Sequence, residues 1–229
     1  MNIDLHNFFK YYDDTNPKHV AAVEELEQLL IQNMPHLMTD ESNWVRIYRT
    51  KLIKTIPGTL EVPFYSQTDN YRDANRTCNS SACAMCLEYF KPGTLVGAKG
   101  DDTYIRKVFQ IGDTTDHLVQ TRALASFGIK SSFRYTLTFN DLDRELAAGR
   151  PVVIGILHRG TLTAPTGGHI CVVIGKVPGG YVVNDPYGSL NDGYTGPVLN
   201  GKGATYSTAQ LRARWCPSGN DGWGRIFSV

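Results

Sequence analysis

The sequence predicts an α+β fold, with a helical N-terminal half packed on an antiparallel sheet, and three observations lead there. Apolar residues recur at three- and four-residue steps between caps as far as about residue 148. From Pro151 onward the texture changes to short β-branched runs punctuated by Gly and Pro. Helices followed by strands, with no internal repeat, is the order of an α+β domain, and 229 residues suffice for one well-packed domain plus a small appendage.

Residues 1–56 read as a helical N-terminal extension or small module. Asn16-Pro17 supplies an N-cap and a proline at the first helical position. Val20, Val23, Leu26 and Leu30 follow at helical spacing, and Met34-Pro35 stops the run. Trp44, Val45, Ile47 and Tyr48 suggest a second short element. Pro57-Gly58 marks the junction, so residues 57–229 form the main domain. Within it, Leu60–Tyr65 reads as extended. Cys78–Phe90, Asp101–Phe109, Thr115–Phe127, Asn140–Ala148 and Ser207–Trp215 read as helices. Strands are predicted at Ser132–Leu137, Pro151–Leu157, Ile170–Ile174, Tyr181–Val183 and Arg225–Val229. The third and fourth of these are joined as a hairpin by the five residues Lys176–Gly180, in a half-buried sheet.

Composition excludes several classes of function. Lys and Arg number 23 against 22 Asp and Glu, a formal charge of +1, which removes the usual argument for nucleic acid or an anionic membrane. No apolar run approaches the roughly 18 residues of a spanning helix, and Met1–His6 is unlike a secretory signal, so synthesis in a cytosol is expected. Five cysteines at irregular spacing suggest free thiols. Cys78, Cys83 and Cys86 lack the second knuckle of a zinc site. Asp69, Asp73, Asp101, Asp102 and Asp113 lack calcium-loop spacing, so no metal and no cofactor is expected.

Cys78 follows a polar, turn-prone stretch and opens a helix, where unpaired N–H groups and the positive end of the helix dipole favour thiolate. A thiolate nucleophile needs a base that returns its proton to the leaving amine. His169 is placed for this, beginning a strand after Gly167-Gly168. Asp185 ends the strand paired with that of His169 and can orient the ring. Gln67 is an upstream amide suited to an oxyanion, with the backbone N–H of Cys78 as second donor. His6, His19, His36 and His117 read as surface or packing histidines, and Cys83, Cys86 and Cys171 as small core residues.

Taken in order, the stretches Val62–Gln67, Thr77–Met85, Leu142–Gly155, Gly168–Gly175 and Tyr181–Gly188 resemble the double-glycine leader (bacteriocin-processing) peptidase-like branch of the papain-like cysteine peptidases. The resemblance covers about residues 60–229. It implies a papain-like fold in which Gln67 lines the oxyanion hole, Cys78 attacks, His169 is the base and Asp185 orients it. Asn79 stands where glycine is usual, a departure bearing on the turn or the neighbouring subsite. A free-standing peptidase of this type looks like a phage or bacterial cell-wall lysin, synthesised without a signal peptide, released to act on the wall, and cutting a peptide of peptidoglycan. The rivals are a non-catalytic peptide-binding module on the same fold, and an acyl or glutamyl transferase passing the thioester to an amine.

Overall fold

A computed structural model describes residues 58–228, which lie within one compact unit. The helical module expected over residues 1–56, and Pro57 of the junction, lie outside the described residues. Thirteen α-helices and β-strands follow in chain order among the described residues. They are helix α1 (Cys78–Phe90), α2 (Asp101–Ile111), α3 (His117–Ser126), strand β1 (Lys130–Leu137), α4 (Phe139–Ala147), β2 (Val152–Ile156), β3 (Arg159–Gly160), β4 (Pro165–Thr166), β5 (His169–Val177), β6 (Gly180–Asn184), β7 (Ala204–Ser207), α5 (Thr208–Arg214) and β8 (Gly222–Ser228). The α+β class is therefore present, with α1–α3 preceding, and α4 and α5 lying between the strands of, a wholly antiparallel six-stranded sheet of order β1-β8-β2-β5-β6-β7.

Local chemistry explains where the helices begin. Asp116 Oδ1 accepts from the N–H groups of Leu118 and Val119 to start α3. Thr138 with Asp141, and Ser207 with Gln210, form capping boxes at the starts of α4 and α5. Helix α1 differs, for residues 79–87 are all buried, so it has no polar face. Small residues at Ser80, Ser81, Ala82 and Ala84 let it lie against β5 on one side and α2 and α3 on the other. Its buried hydroxyls are satisfied: Ser80 Oγ bonds Thr114 Oγ1 (2.7 Å) and accepts from Gln120 Nε2 (2.7 Å).

The sheet is not half-buried as the sequence suggested. Every residue of β2 and β6, and the first seven of β5, is buried, because one core covers each face. Val153, Ile170, Val172 and Val182 point into the core shared with α1. Ile154, Cys171, Val173 and Val183 point into the opposite one, closed by Leu142, Leu211 and Trp215. Unbroken runs such as Val152-Val153-Ile154 are what two covered faces require. Strand β7 and the small β3–β4 hairpin were not anticipated. Leu60–Tyr65 forms no ladder strand, although Leu60 N–H donates to the carbonyl of Ile174 (2.8 Å).

The β5–β6 hairpin turns on two residues, Pro178-Gly179, where a five-residue connection was expected. Proline fixes the first position and Gly179 takes φ 78°, the left-handed value the second position of a Pro-Gly turn needs. Next to the turn the pairs are Lys176↔Tyr181 and Gly175↔Val182. Past a bulge at Ile174 they become Val173↔Val183 and Val172↔Asn184. The bulged carbonyl is the one that Leu60 binds, and Thr59 lies so close to Gly175 that a Cβ there would stand 2.6 Å from Thr59 Oγ1 and 3.0 Å from its Cα. Gly175→Ala should therefore destabilise the protein by about 1–3 kcal/mol, read as a lower urea midpoint, because the strain falls on backbone.

Candidate active site

Cys78 is half-buried at the start of α1, whereas Cys83, Cys86, Cys171 and Cys216 are buried free thiols. Burial pushes the thiols of Cys83, Cys86 and Cys171 up, which leaves them inert. No side chain caps α1, since Thr77, the residue that would do so, donates its hydroxyl to the Ala74 carbonyl (3.1 Å). The first N–H groups of the helix stay available to a negative charge forming beside Cys78.

His169, the first residue of β5, is 4% exposed, and its Nε2 lies 2.6 Å from Oδ1 of the fully buried Asp185. With Nε2 engaged, Nδ1 is left outside that pair, and Cys78 is near enough to add to the electrostatics of the ring. Burial opposes the protonated imidazole, but the charge and hydrogen bond of Asp185, with Cys78 adding to them, outweigh it and raise the His169 pKa to about 10. The protonated imidazole is the form of His169 this environment favours.

Asp185 is held by more than the imidazole. Oδ1 also accepts from the N–H of Tyr187 (3.0 Å), while Oδ2 accepts from the hydroxyls of Tyr206 (2.7 Å) and Tyr194 (3.1 Å). Burial first, then the Asp185 charge, pushes both phenols up, which favours their protonated, donating form. Tyr194 sits at φ 62°, a left-handed value unusual for a non-glycine residue, in a loop whose Tyr194 N–H returns to the Ser189 carbonyl (2.9 Å). The ring of His158 lies 5.3 Å from that of His169, and burial, with the neighbouring His169 charge, lowers its pKa to about 4. It stays neutral beside the imidazolium.

Gln67 is 2% exposed and tied twice: its Nε2 donates to the Ala74 carbonyl (2.9 Å), and its backbone N–H to the Pro186 carbonyl (2.9 Å). One amide hydrogen is thereby engaged and the second remains for an incoming oxygen. All four sequence-predicted residues thus converge. His169 and Asp185 are joined directly, Cys78 adds to the electrostatics of His169, and Gln67 is joined through the turn before Cys78 and the loop after Asp185.

Asn79, which stands where glycine is usual in the resembled family, is buried. It is 2% exposed and turned inward, with Nδ2 3.3 Å from His117 Nδ1 and Oδ1 accepting from Cys83 Sγ (3.8 Å). Tyr194, Tyr206 and His158 were not picked out from sequence. They lie outside the matching motifs, and the one available signal was that an aspartate buried with a single partner leaves acceptor capacity unfilled. Among the described residues no group of three His, Cys, Asp or Glu side chains could hold a metal ion. None of the described helices is long and apolar enough to cross a membrane.

A model of the peptidase C39-like family matches residues 59–219. A crystal structure described as that of a C39-like peptidase from Bacillus anthracis superposes with a TM-score of 0.50 at 14% identity, over 75% of this chain and 97% of that one, a likeness of fold. No curated protein matches.

Two outcomes follow from this geometry. Tyr206→Phe keeps the ring but leaves Asp185 Oδ2 short of its nearest donor, so urea denaturation should show a loss of about 1–3 kcal/mol. Because folding raises the His169 pKa from 6.5 to about 10, its contribution to stability is fully present below pH 6.5 and is lost as pH rises through about 10. Urea midpoints measured across that window should fall in the wild type, and the fall attributable to this residue should be missing from His169→Gln.

Proposed function

The chain belongs to the peptidase C39-like family, and from that premise we propose that it is a cysteine peptidase with Cys78 as nucleophile, His169 as base, Asp185 as orienting acid and Gln67 as oxyanion donor. The observation that carries the reading is the 2.6 Å His169–Asp185 pair, buried beside the uncapped helix end that bears Cys78. The thiolate attacks the peptide carbonyl, and the oxyanion is held by the free amide hydrogen of Gln67 and the N–H of Cys78. His169 gives its proton to the leaving amine as the carbon–nitrogen bond breaks, which leaves a thioester. Water, deprotonated by the now neutral His169, hydrolyses the thioester and restores the thiolate–imidazolium pair.

For the substrate we infer a peptide of peptidoglycan, in the manner of an endolysin. This reading rests on analogy within the family and on the helical region that the sequence predicts ahead of the main domain. A peptide-binding module that no longer cuts is the weaker alternative, since the sequence carries all four side chains the proposed reaction uses. A transferase would use the same thioester and differ only in the acceptor.

Cys78→Ala should lower peptide hydrolysis by about four orders of magnitude or more with the far-ultraviolet circular dichroism unchanged. Undiminished turnover in that variant would sink the peptidase reading. Iodoacetamide should label Cys78 alone in the folded protein, as read by peptide mass mapping, the other four thiols being buried. Zymography on purified cell walls, with mass analysis of released fragments, tests the substrate: new amino termini within peptide stems or cross-bridges are expected, and intact walls would exclude them.

A further inference from the structure

Arg214 is a buried cation that the proposed chemistry does not use. It is the last residue of α5, is 8% exposed, and among the described residues has no carboxylate partner. Its guanidinium is turned to backbone. Nη1 donates to the carbonyls of Leu157 (2.6 Å) and Arg159 (2.8 Å), Nη2 donates to that of Gly160 (2.9 Å), and Nε is buried without a partner. The Leu157 N–H returns to the Arg214 carbonyl (2.9 Å). A planar, permanently charged fork ordinarily meets a carboxylate or a phosphate. Here it grips the chain on both sides of one residue, His158.

The ring of His158 lies 5.3 Å from that of His169, tilted by 54°, and 5.7 Å from that of Tyr194. Gly167 lies against it as well, where a Cβ would stand 3.0 Å from His158 Cε1 and 3.1 Å from Nδ1. Nδ1 is buried and has no hydrogen-bond partner, so the place of the ring follows from the backbone that carries it. His169 needs such a wall. Its imidazole follows two glycines, and beyond the pair with Asp185 it is flanked by rings, those of His158, Tyr194 at 5.8 Å and Tyr187 at 6.0 Å. Tyr194 is tied to Asp185 by its hydroxyl and Tyr187 by its N–H. His158 is tied through Arg214.

We propose, on the basis of the peptidase reading above, that Arg214 is a positioning residue, which fixes His158 against the His169 imidazole and so keeps that ring aligned on Asp185. The guanidinium acts in a second way through its charge. Burial first, then the charges of His169, Arg159 and Arg214 against that of Asp185, lowers the His158 pKa to about 4, so the wall stays uncharged beside a protonated His169. A carboxylate partner would cancel the Arg214 charge, whereas carbonyl acceptors preserve it. Alignment of the base is worth this construction because small displacements of a reacting group are costly to rate.

The test uses the full chain and three variants: Arg214→Lys, which keeps the charge but not the fork that spans the carbonyls, His158→Ala, and the two combined. With histidine rings labelled with carbon-13, the order parameter of the His169 ring should fall in both single variants, its signal being assigned by its absence from His169→Gln. On a fluorogenic peptide that the wild type cuts, each single variant should lower kcat about tenfold with KM unchanged. A staple that only stabilises the fold would lower the urea midpoint and leave kcat of the folded variant at the wild-type value, which would overturn the proposal. Because Arg214 acts through His158, the double variant should be no slower than His158→Ala, and losses that multiply would count against it equally. Should Arg214→Lys not fold, His158→Ala decides alone, with unchanged ring order and unchanged kcat as the overturning result. Lost ring order in variants of a protein that cuts no peptide would leave the clamp standing and remove the peptidase reading beneath it.

Discussion

The site depends on the phase of one hairpin. Residues directly opposite in an antiparallel pair share a face, and a shift of one position sends every later side chain to the other side. From the Pro178-Gly179 turn, the pairs Lys176↔Tyr181 and Gly175↔Val182 set odd-numbered residues of one strand against even-numbered residues of the other. Continued unbroken, that register would put Asp185 on the face of Ile170 and Val172, away from His169. The bulge at Ile174 resets the pairing to Val173↔Val183, so odd faces odd and His169 shares a face with Asp185. A bulge leaves backbone unpaired in a buried strand, and here the Leu60 N–H satisfies the Ile174 carbonyl. The hairpin and the segment before the nucleophile are therefore one construction. After Leu60 the same segment gives the Val62 carbonyl to Asn184 Nδ2 (3.0 Å) and the Gln67 N–H to the Pro186 carbonyl.

Electrostatics then settles what the hairpin has brought together. An ionised aspartate with no exposure would cost several kcal/mol on its own. Four hydrogen bonds to Asp185, from His169, Tyr187, Tyr194 and Tyr206, replace the lost water and leave its charge to act on the imidazole. Two of those donors, Tyr187 and Tyr194, come from the loop between β6 and β7, so this loop, with a left-handed Tyr194, is part of the acid's solvation shell. The neutral His158 completes the arrangement, adding bulk at the imidazole without a competing charge.

Much of this was legible in the sequence, and the reasons are specific. Cys78–Phe90 was predicted to the residue, since a polar turn precedes it and Lys91-Pro92-Gly93 closes it. The order Gln67, Cys78, His169, Asp185 could be read because each residue sits at an element boundary that Gly, Pro or a β-branched run announces. The bulge could not be read, for Ile174 fits an uninterrupted apolar strand and its displacement is decided by Thr59 and Leu60, more than a hundred residues earlier. Tyr194 and Tyr206 were missed for a related reason: a donor to a buried carboxylate is defined by what it reaches in space, and neither has a sequence-local signature. The covered second face of the sheet was present in the continuous runs of β2 and β5, but the hairpin between β5 and β6 invited the half-buried reading that hairpins more often earn.

Thr77 connects these threads. A threonine before a helix ordinarily caps it, and satisfying those N–H groups would stabilise α1 by about 1 kcal/mol. Here the hydroxyl is diverted to Ala74 and the helix end is left open. The loss is tolerable because α1 is held by packing on every side and does not depend on its cap. What the diversion provides is a set of unspent donors beside Cys78, together with a second grip on the carbonyl that anchors Gln67. A capped α1 would be the more stable helix and the poorer host for an oxyanion, since the N–H groups that must meet the developing charge would already be occupied.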